Sequence, residues 1–336
     1  MPQGSPLVAE FDRYPLSGYA LDIRQQGHDN TGIDLLLRWR LLLGTLFVAG
    51  LGVLIYLDFR ATTPGLYLLP VAMLIAILAA GEMVRLGTYG DRKPRRLGIY
   101  VGTTLVVGAN FVPRLIPDFP VDCPFEMMGW PLFAMAIASL LVATYELFRF
   151  ETATRAAANV SYAIFSIAYV GILLSFVVQL RYVGSSEWGI LALASLLMVV
   201  KMSDIGAYFV GRAVGRHKLA PKVSPGKTIE GFVGGLVFAV AGAWLAFDVV
   251  APKAFGIEVN YSFATLVLYG VLLAAAGVVG DLSESILKRA AEKKDSSDWL
   301  PGFGGVLDML DSVLTSAPVA YLLLAGESIA PVAGAT

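Results

Sequence analysis

The chain has 336 residues, of which 57% are hydrophobic and only 15% charged, with a mean hydropathy of +0.70. A soluble domain runs at about 45–50% apolar and about 25% charged, so an ordinary globular protein is excluded and an all-α, polytopic integral membrane protein is expected. The net charge of −1 gives no footing for nucleic acid, and one cysteine, Cys123, with two separated histidines, His28 and His217, excludes an internal disulfide and a Cys/His metal signature.

In chain order, residues 1–36 are polar and lack a basic stretch leading into a short apolar core, so they read as a cytoplasmic N-terminal tail rather than a signal peptide. Apolar runs near the ~20 residues that cross ~30 Å of hydrocarbon then follow. There are nine, at about 41–57, 65–84, 97–113, 130–148, 157–180, 187–210, 230–250, 262–282 and 306–325. Five fall in an N-terminal transmembrane region, 37–185, and four in a C-terminal catalytic region, 186–328, ahead of a short tail at 329–336. Nine spans with the N-terminus inside put most of the 25 Lys and Arg on cytoplasmic segments. Arg60, Arg114, Arg181 and Lys253 fall outside, and Lys201 within the sixth run. That asymmetry is the one expected of correct threading.

Polar chemistry concentrates beyond residue 200. In the segment from Lys201 to Gly231, Asp204 lies in or at the end of a span, where a carboxylate costs about 2.5–3.5 kcal/mol unless it is paired or faces water. Lys201, three residues before it, is a ready partner. Gly206, Gly211 and Gly215 suit close helix packing. The loop KVSPGKTIEG is sharper. Pro225 and Gly226 set a turn, and Lys227, Thr228 and Glu230 are expected in the first turn of the next helix with Ser224 near its N-terminus. Backbone N–H groups, a hydroxyl and an ammonium would then converge on a phosphate, although a plain capped helix entrance explains the same residues. A Walker A loop is excluded, because Pro221 stands where its first glycine is required.

The second polar segment runs from Asp281 to Ser312. Asp281, Ser285 and Lys288 are spaced to form one helical stripe, and Arg289, Lys293 and Lys294 follow, the last two read as headgroup-facing. Pro301, Gly302, Gly304 and Gly305 make a tight loop back to the membrane. Asp308 and Asp311 then share one helix face, placed to hold a hard divalent cation. Acid and base together suggest a metal with a polyphosphate.

The runs GAYFVGR…GRHKLAPKVSPGKTIEGFVGG and GDLSESILKR…KKDSS…LPGFGGVLDMLDS closely resemble the two signature regions of the phosphatidate cytidylyltransferases, or CDP-diacylglycerol synthases. The resemblance covers about residues 200–325, with Phe303 where the family usually has histidine and Met309 where it often has arginine. It implies transfer of a cytidylyl group from CTP to phosphatidate, giving CDP-diacylglycerol and pyrophosphate, with Mg2+ as the cofactor and one or two ions engaged. Metal binding then goes to Asp281, Asp308 and Asp311, with Lys288 beside them in the catalytic set. Phosphate and substrate contacts go to Ser224, Lys227, Thr228, Ser285 and Arg289, with Asp204 and Glu230 as secondary candidates. CTP, phosphatidate and the bilayer are the implied partners, with a homodimer by family precedent and a bacterial inner-membrane location. The alternatives are a CTP-dependent isoprenoid-lipid cytidylyltransferase, a lipid kinase, a transporter using intramembrane carboxylates, or an inactive scaffold.

Overall fold

The structure is a computed structural model that describes residues 45, 49–50, 52–88, 94–116, 128–293, 296–297, 304–326 and 328–331. Met1–Gly50 and Leu51–Thr336 form separate units. In the first, Thr45, Ala49 and Gly50 are helical and exposed. In the second, residues 52–60 are helical, and eight longer helices follow. These are α1 (Leu68–Gly87), α2 (Arg96–Ala109), α3 (Gly129–Phe148), α4 (Ala153–Leu180), α5 (Ser186–Val214), α6 (Ile229–Phe255), α7 (Phe263–Ala290) and α8 (Val306–Ala325). A β-ribbon between α5 and α6 pairs β1 (Lys218–Ala220) with β2 (Ser224–Thr228), and a smaller one pairs β3 (Val259–Asn260) with β4 (Ala330–Pro331).

Hydroxyl caps start four of these helices, as their sequences direct. Thr152, Ser185, Thr228 and Ser262 each accept a backbone N–H three residues on. Seven helices among the described residues are long and apolar enough to cross a membrane, not nine. The seventeen-residue run at 97–113 yields only the 14 residues of α2, because buried Asn110 ends it. The Asn110 amide donates to the Val107 carbonyl at 2.9 Å and to Ser175 Oγ at 2.9 Å, and Gln179 donates to the Asn110 amide oxygen at 2.8 Å. The run at 41–57 lies largely outside the described residues.

Two packing clusters place the polar residues. Leu196 and Val199 of α5, Ala243 and Phe247 of α6, Tyr269 and Leu273 of α7, and Val313 and Ala317 of α8 form one core. Met83 of α1, Val170 and Leu174 of α4, and Leu307 and Leu314 of α8 form a second, so the N-terminal half of the chain packs directly on the start of α8. Where α7 meets α8, a Cβ at Gly280 would fall 2.1 Å from Thr315 Oγ1 and 2.5 Å from the Asp311 carbonyl oxygen. Glycine there lets the two helices approach closely enough to set Asp281 on the same wall as Asp311. At the opposite end of the bundle, Arg181 Nε lies 2.7 Å from Asp58 Oδ2 with both side chains buried.

The polar segments are less loop-like than the sequence suggests. Lys201–Val214 completes α5 and Asp281–Ala290 completes α7, so both helices carry their apolar stretch straight into a C-terminal part that bears the charged residues.

Candidate active site

The charged ends of α5 and α7, the start of α8 and the β1–β2 ribbon enclose a cavity of 740 Å³. That lies within the range of small-molecule sites, about 300–1,000 Å³. Lys201, Arg212, Lys227 and Lys288 bring positive charge to its wall, and Asp204, Asp281, Glu284, Asp308 and Asp311 negative charge. Tyr208 of α5, exposed beside Phe209, continues the wall with an aromatic surface.

Each of the three lysines is held by a carboxylate, whereas Arg212 donates to the Tyr208 hydroxyl at 2.7 Å. Lys227 Nζ lies 2.5 Å from Asp281 Oδ2, and Lys201 Nζ lies 3.3 Å from Asp204 Oδ2. Lys288 Nζ bridges Glu284 Oε2 at 3.1 Å and Asp308 Oδ1 at 2.6 Å. The stripe expected on α7 is present, with Ser285 Oγ at 3.5 Å from Asp281 Oδ1, a long contact. Glu284 is the residue that sequence reading passed over. It is three past Asp281 and four before Lys288, so the same helical spacing contains it. It is almost wholly buried, and its Oε1 has no hydrogen-bond partner among the described residues.

Asp308 has all its capacity engaged. Besides Lys288, it accepts from the Ser296 amide at 3.0 Å, the Ser296 hydroxyl at 2.6 Å and the Gly305 amide at 2.7 Å, all at Oδ2. The last is the reach of an N3 carboxylate back to the N-cap. Asp311 Oδ1 accepts from the Ser312 amide at 2.5 Å. Among the described residues no group of three or more His, Cys, Asp or Glu is placed to hold a metal ion, so the three aspartates do not form a preassembled cage. Asp281 and Asp311 line one cavity as hard oxygen donors, and such a pair fits magnesium. That ion is commonly held by one or two carboxylates together with substrate phosphates rather than by protein alone.

The family model described as "Cytidylyltransferase family" matches residues 39–326. The chain belongs to the phosphatidate cytidylyltransferase family. It is 36% identical over 202 residues to the phosphatidate cytidylyltransferase of Bacillus subtilis, a stretch covering 60% of this chain and 71% of that protein. It is 38% identical over 168 residues to that of Staphylococcus saprophyticus, covering 49% and 59%, and 41% identical over 138 residues to that of Haemophilus influenzae, covering 41% and 47%. With the first of these, more than two thirds of the relative is spanned; with the other two, about half.

Membership classes the chain as a nucleotidyltransferase, and the site sorts the residues expected of one. Asp204, Lys227, Thr228, Asp281, Lys288, Asp308 and Asp311 line the cavity. Ser224, Glu230, Ser285 and Arg289 do not border it. Ser224 pairs with Ala220 in the ribbon, and Arg289 Nε donates to the Val223 carbonyl at 3.4 Å, fastening the ribbon to α7. Glu230 accepts the Arg216 and His217 amides at 3.1 and 3.2 Å and lies 2.6 Å from His217 Nδ1.

The SPGKT loop differs from its expected form. Ser224–Thr228 is a strand, Thr228 is the N-cap and Lys227 precedes the helix. Two of the first α6 amides are engaged within the protein, since Gly231 N–H bonds Thr228 Oγ1 at 3.1 Å and Ile229 N–H bonds the His217 carbonyl at 2.9 Å. Of this loop, Lys227 brings an ammonium to the cavity wall. Lys293 donates to the Arg85 carbonyl at 3.0 Å, an acceptor at the C-terminal end of α1. Lys294, Pro301, Gly302 and Phe303 lie outside the described residues.

Proposed function

We propose that this protein is a CTP:phosphatidate cytidylyltransferase, forming CDP-diacylglycerol and pyrophosphate, with its site at the cytoplasmic face of a bacterial inner membrane. The observation that carries the reading is the Lys227–Asp281 pair. A mobile-chain ammonium and a carboxylate, both partly exposed on a cavity wall, can exchange each other for a polyphosphate and its counter-ion.

In this reading the triphosphate of CTP displaces Asp281 from Lys227, and the ammonium neutralises phosphate oxygens. Arg212 supports it from the same wall. Asp281 and Asp311 would hold a magnesium ion that arrives with the nucleotide. When bound, that ion neutralises phosphate charge and stabilises the leaving pyrophosphate. The phosphate oxygen of phosphatidate attacks the α-phosphorus in line, forming the new P–O bond as the bond to pyrophosphate breaks. No side-chain nucleophile is needed, because catalysis of this class is positioning and charge neutralisation. Lys288, fixed between Glu284 and Asp308, presents the second positive charge at the start of α8. The acyl chains of the lipid would lie along the apolar surface of α5 at Tyr208 and Phe209, exposed on that helix.

The test is incubation of the purified chain in detergent with radiolabelled CTP, magnesium and one lipid phosphate at a time. Label entering the lipid phase with phosphatidate supports the proposal. Label entering only with a polyprenyl phosphate points to an isoprenoid substrate, and no transfer with either overturns the reading.

A further inference from the structure

The helix that completes this site is started from the other half of the chain. The first amides of a helix have no intrahelical acceptor and carry its positive dipole end. At α8 they are taken by Glu82 of α1, a side chain that is 3% exposed. Val306 N–H donates to Glu82 Oε1 and Leu307 N–H to Glu82 Oε2, each at 2.8 Å. The Ser296 hydroxyl is 2.9 Å from Glu82 Oε2 and 2.6 Å from Asp308 Oδ2. A hydroxyl has one proton, so Ser296 donates to one of the two carboxylates at a time while lying within reach of both, and Asp308 in turn grips Lys288 at 2.6 Å. One turn further along α1, Arg85 donates to Ser297 Oγ at 3.0 Å.

We propose that Glu82 is a positioning residue for the cytidylyl-transfer site. It sets Asp308 and Lys288 by anchoring the N-terminus of α8 and the Ser296 hydroxyl. The proposal rests on the reaction proposed above. A carboxylate is specifically required. The Val306 and Leu307 amides are both donors, one to each oxygen of Glu82, so both oxygens must accept, and the amide of glutamine would turn an N–H2 toward an N–H. A buried carboxylate without such donors would be strongly disfavoured, which ties the charge of Glu82 to this one arrangement. Glycine at 305 belongs to the same device, since a Cβ there would lie 2.0 Å from Ser296 Oγ and 2.4 Å from Glu82 Oε2.

The experiment compares the parent chain with Glu82→Gln and Ser296→Ala in detergent, at a temperature where each is folded. Turnover and the KM for phosphatidate are measured, together with amide exchange along α8. Glu82→Gln is expected to lower kcat about tenfold or more while the KM for phosphatidate stays within about twofold. Exchange at Val306 and Leu307 should rise about tenfold, with residues 313–320 unchanged. A role in fold stability alone would lower the melting temperature and leave kcat of the folded protein untouched, and that result overturns the proposal. If Glu82→Gln does not fold, Ser296→Ala decides: about a threefold or larger loss of kcat supports the link to Asp308, and parental kcat removes it. If the parent itself transfers nothing to phosphatidate, the reaction assignment fails. The exchange measurement then stands by itself, local loosening at 306–307 supporting the anchor and unchanged exchange overturning it.

Discussion

Lys227 Nζ lies 2.5 Å from Asp281 Oδ2, joining the ribbon strand β2 to the charged end of α7 on the wall of the cavity. The two side chains are 25% and 36% exposed, so the pair is wet and contributes little to stability, about 0–1 kcal/mol for such pairs. It is easily exchanged for a ligand of the same charge type.

Replacing Lys227 by Met keeps most of the side-chain length and removes the charge. The apparent KM for CTP is expected to rise about tenfold or more, the loss of one charge-assisted contact, while that for phosphatidate changes little. Separate titrations of the two substrates check it. An unchanged KM for CTP would move the nucleotide away from the ribbon.

Asp281→Asn and Asp311→Asn remove charge with little change of shape. Each is expected to lower kcat by about a hundredfold or more, with folding and membrane insertion retained. Initial rates across a magnesium titration, with circular dichroism as the folding control, provide the measurement. Near-parental rates in both variants would remove the carboxylate pair from the reaction.

The Arg181–Asp58 pair lies at the other end of the bundle, with 2% and 0% side-chain exposure. Asp58 also accepts the Gly65 and Tyr67 amides at 3.0 and 3.1 Å. Removing one partner leaves a buried charge, so Arg181→Leu should destabilise the protein by about 3–5 kcal/mol while the activity of the folded fraction stays parental. Thermal unfolding followed beside turnover tests both halves of that statement.

Much of the site was legible in local spacing. Lys201 with Asp204, and Asp281 with Ser285 and Lys288, are separated by three or four residues, and α5 and α7 bring each set onto one face. The same rule contained Glu284, which stood unremarked between two assigned neighbours. Glu82 was out of reach for a different reason. Its partners are 214 to 225 residues away, and a lone carboxylate in an apolar run does not say which helix end it will meet. The span count failed at Asn110, where a polar side chain bonded across to α4 ends α2 inside a run that hydropathy alone reads as continuous.

Orientation is tested by single cysteines at Arg216 and Lys253 in a Cys123→Ser background. Arg216 precedes the ribbon at the cavity, whereas Lys253 lies near the far end of α6. With the site cytoplasmic, an impermeant thiol reagent added to intact cells should label position 253 and leave position 216 until the membrane is opened. Labelling at 216 in sealed cells would place the site outside.

The central claim is that this cavity transfers a cytidylyl group to a lipid phosphate, and paired labels on the nucleotide test it most directly. With phosphatidate, label at the α-phosphorus of CTP should enter the lipid while label at the γ-phosphorus leaves in pyrophosphate. Label from the γ-position in the lipid, with none from the α-position, would make the protein a kinase and contradict the account.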